Sequence, residues 1–318
     1  MKKFNVGILG LGTVGGGTYD ILTKNQTLIE KRTGVTIQVT KALARSRRGN
    51  APDTIITDDP DHILGSPDID LVVECIGGIE PATSFMLQAM KNGKHVVTAN
   101  KAAVAANYQV LHKTASENGV KFLYEASVGG GIPVLSAIQG NLAGNQFLEV
   151  MGIVNGTTNY ILTKMTEDGA DYADVLKDAQ AKGFAEADPT ADVEGIDVAN
   201  KLSILISLLF DQYIAPSDIP TTGISKITGD DIASAKAEGC KIKLIAHAKI
   251  EDGKVTASVA PKKLPESHPL AGVSNEFNAV YITGDMVNEV MLYGKGAGAL
   301  PTGSAIVGDI ISVAKDNK

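Results

Sequence analysis

The chain has 318 residues, 44% of them hydrophobic and 20% charged, a balance that fits a globular protein with room for two domains. Its net charge of -7 argues against a nucleic-acid surface, and its two cysteines, Cys75 and Cys240, build neither a disulfide framework nor a zinc site. No apolar run is long enough for a membrane span and no export signal is recognisable, so the expected partners are small molecules and the expected compartment is the cytoplasm.

In chain order, the β-prone run Phe4 to Leu9 leads into Gly10-Leu11-Gly12-Thr13-Val14-Gly15, where a helical pattern starts. Strand, G-x-G-x-x-G, helix is the dinucleotide fingerprint in its proper setting. Gly10 permits the tight turn, Gly12 lets a pyrophosphate approach the backbone, and Gly15 lets helix and strand pack closely. Thr13 and Val14 then offer N–H groups at the positive end of the helix dipole. A second strand, Val35 to Ala44, ends in Arg45-Ser46-Arg47-Arg48. An NAD site would place a carboxylate there for the ribose hydroxyls, whereas an arginine suits a 2′-phosphate. Arg45 therefore favours NADP, with NAD as the alternative and a solvated basic turn as the plainer reading. Leu71 to Ile76 predicts a strand closing on Gly77, Pro81 to Asn92 a crossover helix, and His95 to Ala99 another strand ending at Lys101. A helix over Ala102 to Asn118 and a strand over Lys121 to Tyr124 continue this βαβ rhythm, which implies a parallel sheet with ligands at its carboxyl edge. Gly77 and Lys101 both fall on that edge. Lys101 either meets the cofactor or substrate there or simply caps a strand.

Beyond this point the pattern changes. Glu125-Ala126-Ser127-Val128-Gly129-Gly130-Gly131-Ile132-Pro133 exposes backbone, and serves either as an interdomain hinge or, with Glu125, as an oxygen-ligand site for a cation. A strand from Phe147 to Val154 precedes a turn, Asn155 to Asn159, that can cap a helix beginning near Tyr160. Gly183 to Lys201, GFAEADPTADVEGIDVANK, carries five carboxylates and one cation. It should be loop to about Thr190 and helical from Asp192, with Asp197 and Lys201 stacked at i and i+4. Alone, this is a surface helix with an ion pair. The apolar turns that follow, LSILISLLF, suggest instead a lysine at the mouth of a core helix, an environment that suits an acid/base group. Strand-like runs at Ile242 to Ile250, Val255 to Pro261 and Ala279 to Thr283 suggest a mixed sheet in an α+β unit. A last helix, opened by a Gly-rich loop and running through Val313, should fold back on the nucleotide domain. The expected domains are 1–134, completed by 299–318, and 135–298.

Six motifs in this order, GLGTVG, ANK at Ala99 to Lys101, EASVGGGIP, NGTTNYIL, GFAEADPTADVEGIDVANK and GAGALPTGSAIVGDI, make the whole chain resemble the homoserine dehydrogenase family. The resemblance implies an N-terminal Rossmann parallel sheet plus an α+β domain that binds substrate and forms a homodimer. It also implies a nicotinamide-dependent interconversion of L-aspartate 4-semialdehyde and L-homoserine, in threonine, methionine and isoleucine biosynthesis. By motif, Lys201 becomes the proton donor and acceptor. Glu186 and Asp197 hold homoserine, with Asp192 and Thr157 as further substrate positions. Lys101 becomes a cofactor or substrate contact with a share in catalysis, and Gly183 and Gly303 fall in cofactor-contacting loops. The resemblance makes Glu125 and the carbonyls of Val128, Gly130 and Ile132 a monovalent-cation site, for sodium. The family's appended regulatory ACT-type domain and N-terminal kinase are not expected here. A thioester-forming semialdehyde dehydrogenase is disfavoured, because neither cysteine sits in an activating environment. A non-catalytic cofactor sensor leaves Lys201 among acids without a reason.

Overall fold

The computed structural model describes residues 2–44 and 50–316, and the chain divides into two compact units, Met1–Gly131 with Ala297–Lys318 and Ile132–Gly296. The first unit opens with β1 (Lys2–Leu9), α1 (Thr13–Lys24), α2 (Gln26–Thr33), β2 (Val35–Leu43), the two-residue β3 (Ile56–Thr57) and α3 (Asp61–Leu64). It continues with β4 (Leu71–Glu74), α4 (Ala82–Lys91), β5 (His95–Thr98), α5 (Lys101–Ala106), α6 (Tyr108–Glu117) and β6 (Phe122–Leu123). The six strands are parallel and lie in the order β3-β2-β1-β4-β5-β6. Strand order reverses beside β1, so the carboxyl ends of β1 and β4 flank a crevice before any side chain is considered. Val6, Ile8 and Leu71 to Val73 are fully buried, as sheet covered on both faces requires.

The helix expected over Ala102 to Asn118 is in fact two. Asn107 leaves helical geometry at φ -126°, and its side-chain amide donates to the Ala103 carbonyl and the Thr83 hydroxyl. An asparagine that can bond its own backbone competes with helix continuation. β3 is too short to carry a periodic signal and was not expected.

The second unit contains α7 (Leu135–Gln139), β7 (Phe147–Ile153), α8 (Gly156–Asp168), α9 (Tyr172–Ala181), α10 (Thr190–Val193), α11 (Ile196–Phe210) and α12 (Gly229–Ala237). Then follow β8 (Cys240–Glu251), β9 (Lys254–Pro265), β10 (Phe277–Gly284) and β11 (Asn288–Lys295). The sheet order is β11-β10-β7-β8-β9, and every ladder between these strands is antiparallel, not mixed as expected. The hairpins explain it: Asp252 and Gly253, both at positive φ, form the tight turn between β8 and β9 that antiparallel twist favours. One sheet face, with Val150, Ala246, Ala248, Val280 and Ile282, is buried. On the other, Met151, Tyr281 and Met291 lie side by side and keep solvent exposure. Helix α11 is apolar nearly all round, which is why it is a core helix.

The last element, α13 (Ala299–Asp316), belongs to the first unit, as the expected returning helix does. Ile306, Val307, Ile310, Val313 and Ala314 join Phe4, Val6 and Ile8 in one core cluster. Helices α1 and α13 pack backbone to backbone. A Cβ on Gly17 would lie 2.3 Å from the Ala299 carbonyl oxygen, and one on Gly303 2.9 Å from the Gly17 carbonyl carbon and the Thr18 nitrogen. Gly303, expected in a cofactor-contacting loop, is thus inside a helix, and close packing accounts for its being glycine. Gly303→Ala should lower unfolding free energy by about 1–3 kcal/mol, read as an earlier urea midpoint; an unchanged midpoint would mean the two helices part without cost.

Candidate active site

At the carboxyl end of β1 the fingerprint glycines have separate geometric reasons. Gly10 sits at φ +99°, and a Cβ there would come within 2.8 Å of the Cys75 carbonyl oxygen. A Cβ on Gly15 would come within 1.9 Å of the Gly10 carbonyl oxygen, so the turn closes only without one. At Gly12, by contrast, a Cβ would meet no protein atom within 4 Å. That open space lies over the start of α1, where Thr13 and Val14 carry first-turn N–H groups with no carbonyl one turn earlier. Gly10 and Gly12 line a cavity of about 590 Å³ together with Leu43, Ala44, Cys75 and Gly77. The cradle therefore fits a dinucleotide pyrophosphate. Arg45 lies outside the described residues.

The loops after β4 and β5 are tied by Glu74, which the strand pattern presented as one more residue of an apolar run. It is fully buried. Its Oε1 accepts the N–H groups of Ile76 (2.7 Å) and Gly77 (3.3 Å), and its Oε2 the Thr98 hydroxyl (2.6 Å). The Thr98 hydroxyl oxygen in turn accepts the Asn100 N–H, and the Asn100 amide donates to the Gly78 carbonyl. Asn100 also caps α5, the helix that begins at Lys101. Gly77 at φ +85° and Lys101 are thus set by one hydrogen-bonded ring. Cys75 stands beside it with its thiol pushed well above the ordinary range by burial and then by the Glu74 charge, the opposite of an activated nucleophile.

In the second unit, β7 delivers Val154 and Asn155 to α11. Lys201 Nζ donates to the Val154 carbonyl at 2.7 Å and to Asp197 Oδ2 at 2.6 Å. Lys201 is 8% exposed and Asp197 5%, so the anticipated i,i+4 pair exists but is buried. Gly195 at φ +81° breaks the chain between α10 and α11, so the single helix expected from Asp192 is replaced by two. The break places Asp197 in the first turn of α11, where a carboxylate complements the helix dipole.

Asn155 caps α8 through its Oδ1, which accepts the Thr158 N–H, so this helix begins at Gly156 rather than near Tyr160. Its Nδ2 donates to Asp192 Oδ1 at 2.7 Å and Asp197 Oδ2 at 3.0 Å. Burial holds the Asp192 carboxyl above the ordinary range; the Asn155 hydrogen bond opposes this and the Asp197 charge adds to it. The Thr157 hydroxyl reaches the Phe184 carbonyl (2.6 Å) and Asp192 Oδ2 (3.2 Å). Thr157, Asp192, Asp197 and Lys201 are therefore one cluster. Glu186 is exposed on the loop after Gly183 (φ +75°), and no hydrogen bond among the described residues ties its carboxylate to that cluster.

At the end of the first unit's chain segment, Glu125 is buried in a 3-10 turn, and its N–H donates to Asp309 Oδ2 on α13. Burial pushes the Asp309 carboxyl up to about 7, the Glu125 charge adding to it. Val128 is buried, and Gly129 and Gly130 both take positive φ. Ile132 opens the second unit, and its carbonyl accepts the Val134 N–H. Among the described residues no group of three or more His, Cys, Asp or Glu could hold a metal ion, and no helix is long and apolar enough to cross a membrane.

A family model described as homoserine dehydrogenase, NAD binding domain, matches residues 10–125, and one described as homoserine dehydrogenase matches residues 133–311. The chain is 43% identical to the homoserine dehydrogenase of Bacillus subtilis, over 99% of its own length and 74% of the relative's. The crystal structure of a homoserine dehydrogenase from Thiobacillus denitrificans matches with a TM-score of 0.96 at 42% identity, covering 100% of this chain and 74% of that one. A hyperthermophilic archaeal homoserine dehydrogenase in complex with NADPH matches at 0.83 and 27% identity, covering 99% and 98%. With its dinucleotide cradle and its buried lysine–carboxylate cluster both inside matched regions, the chain belongs to the homoserine dehydrogenase family, nicotinamide-dependent oxidoreductases that interconvert L-homoserine and L-aspartate 4-semialdehyde.

Proposed function

We propose that Lys201 is the proton donor and acceptor of this reaction, and that NADP is the preferred cofactor. The observation that carries the first reading is the buried Lys201–Asp197 pair, with Nζ also held by the Val154 carbonyl. A bound, reduced nicotinamide supplies the hydride. Lys201 delivers a proton to the C4 oxygen of the semialdehyde, and its ammonium favours the negative charge that grows on that oxygen during reduction. In the oxidative direction the neutral amine removes the hydroxyl proton of homoserine. Asp197 and the Val154 carbonyl keep Nζ from wandering, so the proton is presented from one direction.

Glu186, Asp197, Asp192 and Thr157 hold the amino acid, chiefly through its ammonium group; the surplus of carboxylates around one lysine supports this. Gly10, Gly12, Thr13, Val14, Gly15 and Gly77 hold the cofactor, with Gly183 and Lys101 as further contacts, Lys101 also sharing in catalysis. Support for NADP comes from the sequence after β2, Ala44 to Arg48, which carries no carboxylate where an NAD site would, and from the NADPH bound to the archaeal relative. Arg45 reads the 2′-phosphate. A monovalent cation, sodium, sits on the loop of Glu125, Val128, Gly130 and Ile132, supported by two buried acids, Glu125 and Asp309, that a positive ion would stabilise. A homodimer forms through the strip of Met151, Tyr281 and Met291, which lie side by side on the second unit's sheet and keep partial exposure. The cytoplasm is the working compartment.

Lys201→Ala should lower kcat by roughly two orders of magnitude or more while NADPH affinity stays near wild type. The measurement is NADPH oxidation with aspartate semialdehyde, beside cofactor titration. A collapse of cofactor affinity with kcat preserved would make Lys201 structural. Arg45→Ala should raise the KM for NADPH far more than that for NADH; equal losses would remove Arg45 from 2′-phosphate recognition.

A further inference from the structure

We infer that Asn155 is a positioning residue for the Lys201–Asp197 pair, its side-chain amide acting as the neutral clamp that keeps two carboxylates apart and aims the lysine. This rests on the assignment of Lys201 as the acid/base group. The two ends of the Asn155 side chain do separate work. Its Oδ1 faces α8 and accepts the Thr158 N–H (2.9 Å) and hydroxyl (3.0 Å). Its Nδ2 faces the acids and donates to both Asp192 (2.7 Å) and Asp197 (3.0 Å). The residue is buried, so water does not readily replace either interaction.

Asp197 Oδ2 is the shared atom. It accepts from Asn155 on one side and from Lys201 Nζ on the other, so the amide fixes the oxygen that fixes the ammonium. Without the two N–H donors, Asp192 and Asp197 are like charges in a desolvated site, and Lys201 has two carboxylates competing for it. The amide supplies two donors without adding charge. An Asp at this position would put a third negative group in the clamp, and a Ser would be too short to span both acids. Both substitutions keep a good N-cap, which lets the cap and the clamp be tested apart.

Asn155→Ser should lower kcat roughly 10–100-fold, the scale set by misplacing a catalytic group by about an ångström. The KM for NADPH should stay within about twofold, since the clamp lies in the unit without the fingerprint. N155D should cost more, and should move the basic limb of the kcat–pH profile upward, because an added carboxylate holds the Lys201 proton more tightly. N155D/D192N again sets one amide among carboxylates; measured against D192N alone, which already lacks the Asp192 hold on the amino acid, N155D should cost about tenfold less kcat than it costs in the wild type. A pure helix cap predicts none of these. Wild-type kcat and pH profile in N155S, or an N155D loss of the same size with and without D192N, overturns the inference. Should N155D not fold, N155S and its pH profile decide alone. K201A, assayed in parallel, separates the two readings. Wild-type-like turnover in K201A sinks the Lys201 assignment. An inactive K201A beside a wild-type-like N155S sinks the role of Asn155 only.

Discussion

An ammonium group inside an apolar helix is the constraint around which the second unit is built. Leu202, Ile204, Leu205 and Ile206 next to Lys201 are fully buried, so the charge has little water to turn to. Removing such an ion from water costs several kcal/mol, and close, well-directed partners must offset it. The ammonium is held by the carbonyl that follows β7 and by the carboxylate one turn earlier on α11, and that carboxylate is held in turn by the amide that starts α8. Each dictates a boundary. β7 has to stop at Ile153, α8 has to open on a side chain with both an acceptor and donors, and the helix must break at Gly195 so that Asp197 falls in a first turn. Element ends that look like local accidents are set by one desolvated charge.

The first unit handles a buried ion by other means. Glu74 is a fully buried carboxylate, and the three groups that donate to it are all neutral. Several neutral donors can hold a carboxylate where a single cation would give it a strong partner but little geometry. The result is a rigid link between two loops at the carboxyl edge of the sheet. In the second unit a cation and a carboxylate hold each other; in the first, neutral donors make one carboxylate a fastener between loops.

Much of this was readable from local pattern. The fingerprint, the parallel βαβ rhythm, the returning helix and the apolar turns after Lys201 all follow from residue order over short windows. So does the i,i+4 relation of Asp197 and Lys201. What escaped depends on residues distant in sequence or on competition within a few atoms. Asn155 looks like a helix cap until Asp192 and Asp197 are brought to it from 37 and 42 positions away. Glu74 looks like a strand residue until Thr98 arrives. The all-antiparallel sheet rests on hairpin twist and on β11, whose exposed, alternating edge gave no apolar run to notice. Asn107 split a helix because its amide found the Ala103 carbonyl. Gly303 was read as part of a loop, whereas it lies inside α13 against the backbone of α1.

The helix α13 has a consequence for how the molecule is made. It supplies five residues to the core that β1 begins, yet the whole second unit lies between them in the chain. During synthesis the nucleotide-binding sheet therefore emerges first and waits, its groove for α13 unfilled, while 165 residues of an independent core are translated. The later unit has all its strands and helices to hand before the earlier one can close. Chain order and order of completion are thus reversed. The contact between α1 and α13 joins residues far apart in the chain and is the last of this unit's contacts to become available during synthesis.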